Sequence, residues 1–393
     1  SDNTAIGRKA LWTNTTGTAN TAVGETALYS NTTASNNTAV GRMSLNANTT
    51  GTRNVALGAN ALDANTVGGK NVALGMDALG LNVDGSRSVA VGDSALAAQE
   101  PASAVDMYNT AVGHGAGSAV TTAINNTFVG GLCGDGTDDG LDNTAVGHQA
   151  LSANCASENV AVGKNALLIS TASRNVAVGW GAGDSNTSGI DNVYIGYDCA
   201  AYNNNSSTGN ENTYIGAFAR GSAVDVNSEI AIGRYVLGQG TLTATLGVSG
   251  TGATISLDGS DTSWAAHSDE RLKENITTST AGLSFVNDLR PVTYTWKAKN
   301  AIPEDFVNYY DADSSDPING VAGKTYHGFV AQEMKATIDA HSEVKNGNNL
   351  WAERVDDIQQ LAPGNLVPML VKSIQELSTQ VEALTARITT LEG

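Results

Sequence analysis

One five-residue phrase governs the first two thirds of this chain. NTAIG at 3–7 returns as NTAVG at 20–24 and 37–41, then as NVALG at 54–58 and 71–75. It continues through SVAVG, NTAVG, NTFVG, NTAVG, NVAVG, NVAVG, NVYIG, NTYIG and EIAIG to Gly233, fourteen copies in all. The step between the closing glycines is 17 residues nine times, 16 twice, and 20 and 21 once each. Asn-x-Ala-x-Gly with β-branched residues or Leu at alternate places reads as a short strand of period two. The glycine falls where the backbone turns or another backbone comes close. Most copies add Gly-x-x-Ala-Leu, as in Ala10-Leu11, Ala27-Leu28, Ala61-Leu62 and Ala150-Leu151, and Asn-Thr-Thr-Gly runs supply turn chemistry. One such unit cannot bury its own apolar face, so the copies must stack into a solenoid. At one strand spacing per copy, fourteen copies make a rod of roughly 65 Å. The small inward residues imply a thin interior, or several chains packed around a shared axis.

The repeats stop, and the chain changes character at HSDERLKENI, residues 267–276. Residues 1–267 hold 10 Lys+Arg and 21 Asp+Glu, whereas the remaining 126 residues hold 11 and 18. Thirty-seven of 44 glycines precede the boundary, but only one of six prolines, Pro101. Two domains with different physics follow: a repeat rod over 1–240 leading through a β-stalk at 241–267, and a second domain over 268–393. The stalk is read from the alternation of Leu, Val or Ile with Thr or Ser in TLTATLGVSGTGATISLDG.

Composition excludes several roles. A formal net charge of −18 is too acidic for general nucleic-acid or anionic-membrane binding. No run approaches a transmembrane helix, so membrane insertion is not expected. The first residues already lie inside a repeat and lack a signal segment, so a fragment of something longer, or a processed product, is expected. Cys133, Cys155 and Cys199 are odd in number and lack metal-ligand spacing, so they read as reduced thiols. Asp135, Asp138 and Asp139 in CGDGTDDGLD lack the spacing of an EF-hand loop and read as a polar turn. His114 and His148, each just after a repeat glycine, read as surface histidines. No metal and no cofactor is expected.

The NTAVG…AL units resemble the head repeats of trimeric autotransporter adhesins and of many phage tail fibres, in which three chains wind into β-rolls or β-prisms. The 17-residue period is longer than the commonest adhesin-head repeat, so the resemblance implies a homotrimeric β-rod rather than one particular roll. Taken alone, SDERLKENI is a helix start, with Ser268 as N-cap and Asp269 and Glu270 favoured by the dipole. It is followed by GLSFVNDLRPVTYTW (282–296), HGFVAQEM (327–334) and LVPMLVKSIQELSTQVEAL (366–384). In this order the blocks resemble the endosialidase-type C-terminal intramolecular chaperone domain of phage tail fibres and tailspikes. That resemblance implies a domain that trimerises, guides folding of the rod before it, and cleaves itself off. The family's catalytic Ser and Lys fall on Ser268 and Lys273, with Asp269, Arg271 and Asn275 completing the motif and the scissile bond between His267 and Ser268. A lysine acts as general base only when neutral, which burial or nearby like charge can bring about.

The last stretch, about 366–393, carries Ile374, Leu377, Val381, Leu384, Ile388 and Leu391 at spacings of three and four, a coiled coil. β-branched a and Leu d positions favour two strands, but RITTLE (387–392) resembles a trimerisation motif in which Arg387 and Glu392 pair across chains. The expected fold is mainly β: a homotrimeric solenoid or β-roll rod, then a small α+β chaperone domain ending in a trimeric helical coiled coil. The expected function is the distal part of a phage tail fibre, assembled in the bacterial cytoplasm and carried on the virion. Its partners would be two further copies, a bacterial surface glycan or protein, and the rest of the tail through an N-terminal region. A structural shaft without receptor contact and a bacterial trimeric adhesin are the alternatives. A polysaccharide-degrading tailspike needs a catalytic groove that regular repeats do not offer.

Overall fold

A computed structural model describes residues 2–201, 207–249, 251–258, 265–266, 268–304, 310–319, 321–345, 350–353 and 359–392. The chain divides into two compact units, Ser1–Asp269 and Glu270–Gly393.

In the first unit every copy of the phrase makes one three-residue strand, from β1 (Thr4–Ile6) to β14 (Ile230–Ile232). Each strand pairs in parallel with its successor, equivalent position on equivalent position: Ala22 on Ala39, Ala39 on Ala56, Ala56 on Ala73. One strand per coil, repeated fourteen times, is a β-solenoid. A six-residue strand, β15 (Thr243–Val248), stacks in parallel on β14. The chain then folds back antiparallel through β16 (Thr251–Ser256) and β17 (Ala265–Ala266).

The period-two pattern sets which way each side chain points. Central residues such as Ala22, Ala39 and Ala56 are fully buried, while their flanks face outward, Val55 38% and Leu57 47% exposed. The glycine that closes each strand has φ near +130° to +140°. A β-carbon on Gly24 would lie 2.4 Å from the carbonyl oxygen of Gly41 on the next coil, so no other residue fits. The leucines of the Ala-Leu pair, Leu28, Leu45 and Leu62 among them, are fully buried yet left-handed, with φ near +50°. That conformation costs about 1–2 kcal/mol. Burying the side chain contributes about 1.5–3 kcal/mol. The twisted backbone also lets each amide reach the next coil, as Leu28 N does to Ser44 O at 3.0 Å.

The asparagines do more than turn the chain. Asn20, Asn37, Asn54 and Asn71 are fully buried and form a ladder. The backbone N–H of each donates to the Oδ1 of the one before at 2.9–3.0 Å, and the Nδ2 of Asn37 donates to Gly51 O at 2.9 Å. Asn31, Asn48, Asn65 and Asn82 build a second ladder through Nδ2-to-Oδ1 bonds. A thin core thus satisfies most of its polar groups along the axis, with Asn186 Oδ1 and Tyr194 OH among the exceptions. Where Ser88 replaces Asn in the first ladder, Gln99 crosses from the second: Ser88 Oγ and Asn109 Nδ2 both donate to its Oε1. The first ladder ends at the fully buried Glu229, whose carboxylate accepts from Tyr214 OH, Ser222 N and Gly240 N at 2.7–3.1 Å.

The second unit is small and mixed. Helix α1 (Leu283–Asn287) precedes an antiparallel pair, β18 (Val292–Tyr294) and β19 (Tyr326–Gly328). Helices α2 (Ala331–Ala340) and α3 (Ser342–Lys345) follow, then a second antiparallel pair, β20 (Trp351–Glu353) and β21 (Gln359–Leu361). Pro363 opens a 3-10 turn that leads into the 26-residue helix α4 (Val367–Glu392). Ala281, Phe285, Met334, Ile338, Val344, Leu350 and Leu366 form the core. The backbone N–H of Leu283 donates to Glu376 Oε2 at 2.8 Å, which ties α1 to the first half of α4.

Candidate functional site

The segment singled out in the sequence lies where the two units meet in the chain. Ser268 and Asp269 close the first unit, while Arg271, Lys273 and Asn275 open the second. In place of a long helix the backbone makes one 3-10 turn, Glu270–Leu272, closed by Lys273 N donating to Glu270 O at 3.0 Å. Asn275 takes a left-handed φ of +55°. Ser268, Asp269, Arg271, Lys273 and Asn275 are all exposed in the single chain. His267, the residue before the expected scissile bond, lies outside the described residues.

Helix α4 presents the heptad positions to solvent. Ile374 is 65% exposed, Val381 59%, Leu384 58% and Leu391 80%, and Leu377 and Ile388 share the stripe. Arg387 and Glu392 are exposed beside it. An uncovered apolar stripe at coiled-coil spacing along most of a 26-residue helix is a surface built to be buried. The solenoid repeats the theme, because the outward strand positions Leu57, Val112, Val146, Val178, Ile195 and Ile232 form an exposed apolar column.

Sequence reading missed a charged clasp in the second unit. His341, just past α2, places Nε2 2.9 Å from Asp288 Oδ2 and Nδ1 2.8 Å from Glu343 Oε1. Carboxylates only accept, so both bonds form only when both ring nitrogens carry protons. Hydrogen bonding to Glu343, then to Asp288, accordingly pushes the imidazole above its ordinary value. The ring packs edge-on to Phe285 of the core at 5.4 Å. Asp288 and His341 are 53 residues apart, and no local pattern links them.

The other candidates stay apart. Asp135 is bound by Ser152 and Asp138 by Thr121, each across one coil. Among the described residues no group of three or more His, Cys, Asp or Glu could hold a metal ion. His114 and His148 are exposed on separate coils. All three cysteines are buried, and burial pushes the thiols of Cys133 and Cys199 up to about 12 and that of Cys155 to about 11, so they stay protonated. Among the described residues no helix is long and apolar enough to cross a membrane.

The molecule is thus a β-solenoid followed by a small α+β unit that ends in a long helix with an exposed apolar stripe. Residues 268–342 match the model of a peptidase family described as Chaperone of endosialidase. No curated protein and no solved structure matches the chain. The match supports a C-terminal intramolecular chaperone, and the family it points to implies self-cleavage in general.

Proposed function

We propose that this chain is the distal part of a phage tail fibre, a homotrimeric β-rod for host-surface contact that carries its own self-releasing chaperone. The observation that carries the reading is a coincidence of position. The chaperone-family match begins at Ser268, and the solenoid unit ends at Asp269. The exposed apolar column on the rod and the apolar stripe on α4 support three-chain assembly, since each needs covering by further copies.

In this reading the hydroxyl of Ser268 attacks the carbonyl carbon of His267. Lys273 takes the hydroxyl proton and returns it to the leaving amide nitrogen, which becomes the new amino terminus. Water then hydrolyses the ester left on Ser268 Oγ. Lys273 is exposed in the single chain. The burial that makes it a neutral base must come from assembly, so cleavage would report a completed trimer.

The test is direct. Wild-type chain should yield two fragments, the smaller beginning at Ser268. Ser268→Ala, Lys273→Ala and Lys273→Arg should each leave the chain intact yet assembled, because guanidinium does not give up its proton at neutral pH. A fragment beginning elsewhere, or cleavage persisting in Ser268→Ala, would show that the dyad is misassigned. The like-on-like stacking of coils favours a second reading, a shaft that only spaces a receptor-binding tip. Absence of cell adsorption by the assembled protein would select it.

A further inference from the structure

Residues at equal offset from the repeat glycine stack on consecutive coils, and on the first three coils this stacking gathers charge. The first offset carries Arg8, Glu25 and Arg42, the second carries Lys9, and the fifth carries Trp12 and Tyr29. Five of these six line one surface cavity of about 360 Å³. Lys9 joins it to Trp12: its Nζ lies 5.9 Å from the Trp12 ring centre and 5.8 Å from that of Tyr29. Trp12 is 65% exposed, with most of its ring open to solvent.

The charge is out of keeping with its surroundings. Residues 1–267 carry 10 basic and 21 acidic side chains, a balance of −11, yet three of those ten cations converge here. Arg8 Nε donates to the Glu25 carboxylate at 2.8 Å, so one cation is already matched. Lys9 and Arg42 remain as a local excess of two positive charges. The coil does not need them, because later coils put Ala59, Met76 and Asp93 at the first offset and Asn60, Asp77 and Ser94 at the second.

A phenol and two unmatched cations lining a concavity, with an open indole beside Lys9 at its edge, suit one chemistry. The apolar face of a pyranose packs on an aromatic ring. A carboxylate or phosphate on the same sugar takes charge-assisted hydrogen bonds from guanidinium and ammonium. A neutral sugar would leave the cations unused. A purely apolar ligand would desolvate them without return. We propose that this cavity binds an acidic saccharide, with the sugar ring on Trp12 and its anionic group held by Arg42 and Lys9. The role as a host contact rests on the fibre reading above, whereas the binding itself does not.

The experiment titrates the full 393-residue protein with a tetragalacturonate, a hexose phosphate, a neutral maltotetraose and a short single-stranded oligonucleotide at low salt. An acidic sugar should bind and the neutral tetramer should not. Arg42→Ala and Trp12→Ala should each weaken binding about tenfold. Arg53→Ala and Lys70→Ala, which remove exposed cations outside the cavity, should leave it unchanged. All four side chains are exposed, and unchanged thermal melting would confirm that the coils stay folded. Equal affinity for maltotetraose, tighter binding of the oligonucleotide, no binding of either acidic sugar, or wild-type affinity in Arg42→Ala would each overturn the proposal. Adsorption to a panel of bacteria separates the two ideas. Cells bound equally by Arg42→Ala, with no sugar binding, would sink the site and keep host contact. Sugar binding without cell adsorption would do the reverse.

Discussion

At the scale of the residue, the rod trades volume between neighbouring positions. Phe128 stands where most coils have a central strand alanine, and it is fully buried. Its ring has room because Gly117 and Gly134 occupy the offset at which other coils carry a buried leucine such as Leu28 or Leu45. A β-carbon on Gly134 would come within 2.5 Å of the Phe128 ring. Tyr194 and Gly183 repeat the exchange, with 2.4 Å between the imagined β-carbon and the ring. Phe128→Ala should therefore cost about 3–5 kcal/mol through the void it leaves. Adding Gly134→Leu should recover much of that loss, because Gly134 has φ +61°, close to the left-handed geometry the repeat leucines adopt. Denaturant midpoints of the single and double variants check this. A double variant less stable than Phe128→Ala would show that the two positions are not exchanging volume.

At the scale of the element, the clasp around His341 joins the end of α1, the end of α2 and the start of α3, through Asp288, His341 and Glu343. The sign of its pH dependence follows from the raised imidazole. Its stabilisation is fully present below the ordinary histidine value near 6.5 and is lost as pH rises through the higher folded value. Hydrogen exchange at α2 and α3 should accelerate across that window, and His341→Gln should remove the step. Exchange that is flat with pH in the wild type would contradict it. This contact also marks what was legible in advance. Periodicity exposed the strands, their glycines and the α4 stripe, because those features repeat at 17 or at three and four residues. The clasp could not be seen, since its members come together only through the packing of Phe285, Met334 and Ile338. The asparagine ladders lay in between. Their 17-residue spacing was visible, but asparagine suggests turns, and only stacked coils give its amide a partner above and below. The cavity at Arg8 and Arg42 could have been found by writing the sequence in rows of one coil.

At the scale of the whole molecule, identical coils create a problem of register. In the three-chain assembly proposed above, neighbouring alignments of the repetitive chains would differ little in energy, and a slip of one residue would turn every side chain to the wrong face. A short helical element can align the chains before the strands zip. Residues 1–267 produced without the second unit should therefore aggregate, and polar replacement of Ile374, Leu377 and Leu384 in the full chain should have the same effect. Rod released after assembly should remain oligomeric in detergent, because its strands then unfold slowly. Sedimentation and detergent electrophoresis check both outcomes, and efficient folding of 1–267 alone would remove the need for a guide. The asparagine ladder has one more consequence. Each coil receives a hydrogen bond on one side and passes the same bond on at the other, so any junction between intact Asn coils is chemically interchangeable with any other. Ser88, bridged by Gln99, interrupts this sameness once, and Glu229 ends it, because its carboxylate accepts on all sides and hands no donor onward. Rod length is thus a heritable quantity that changes in whole steps. Duplicating or deleting the coding stretch for one coil upstream of Glu229 lengthens or shortens the rod by about 4.8 Å and leaves both ends as they were.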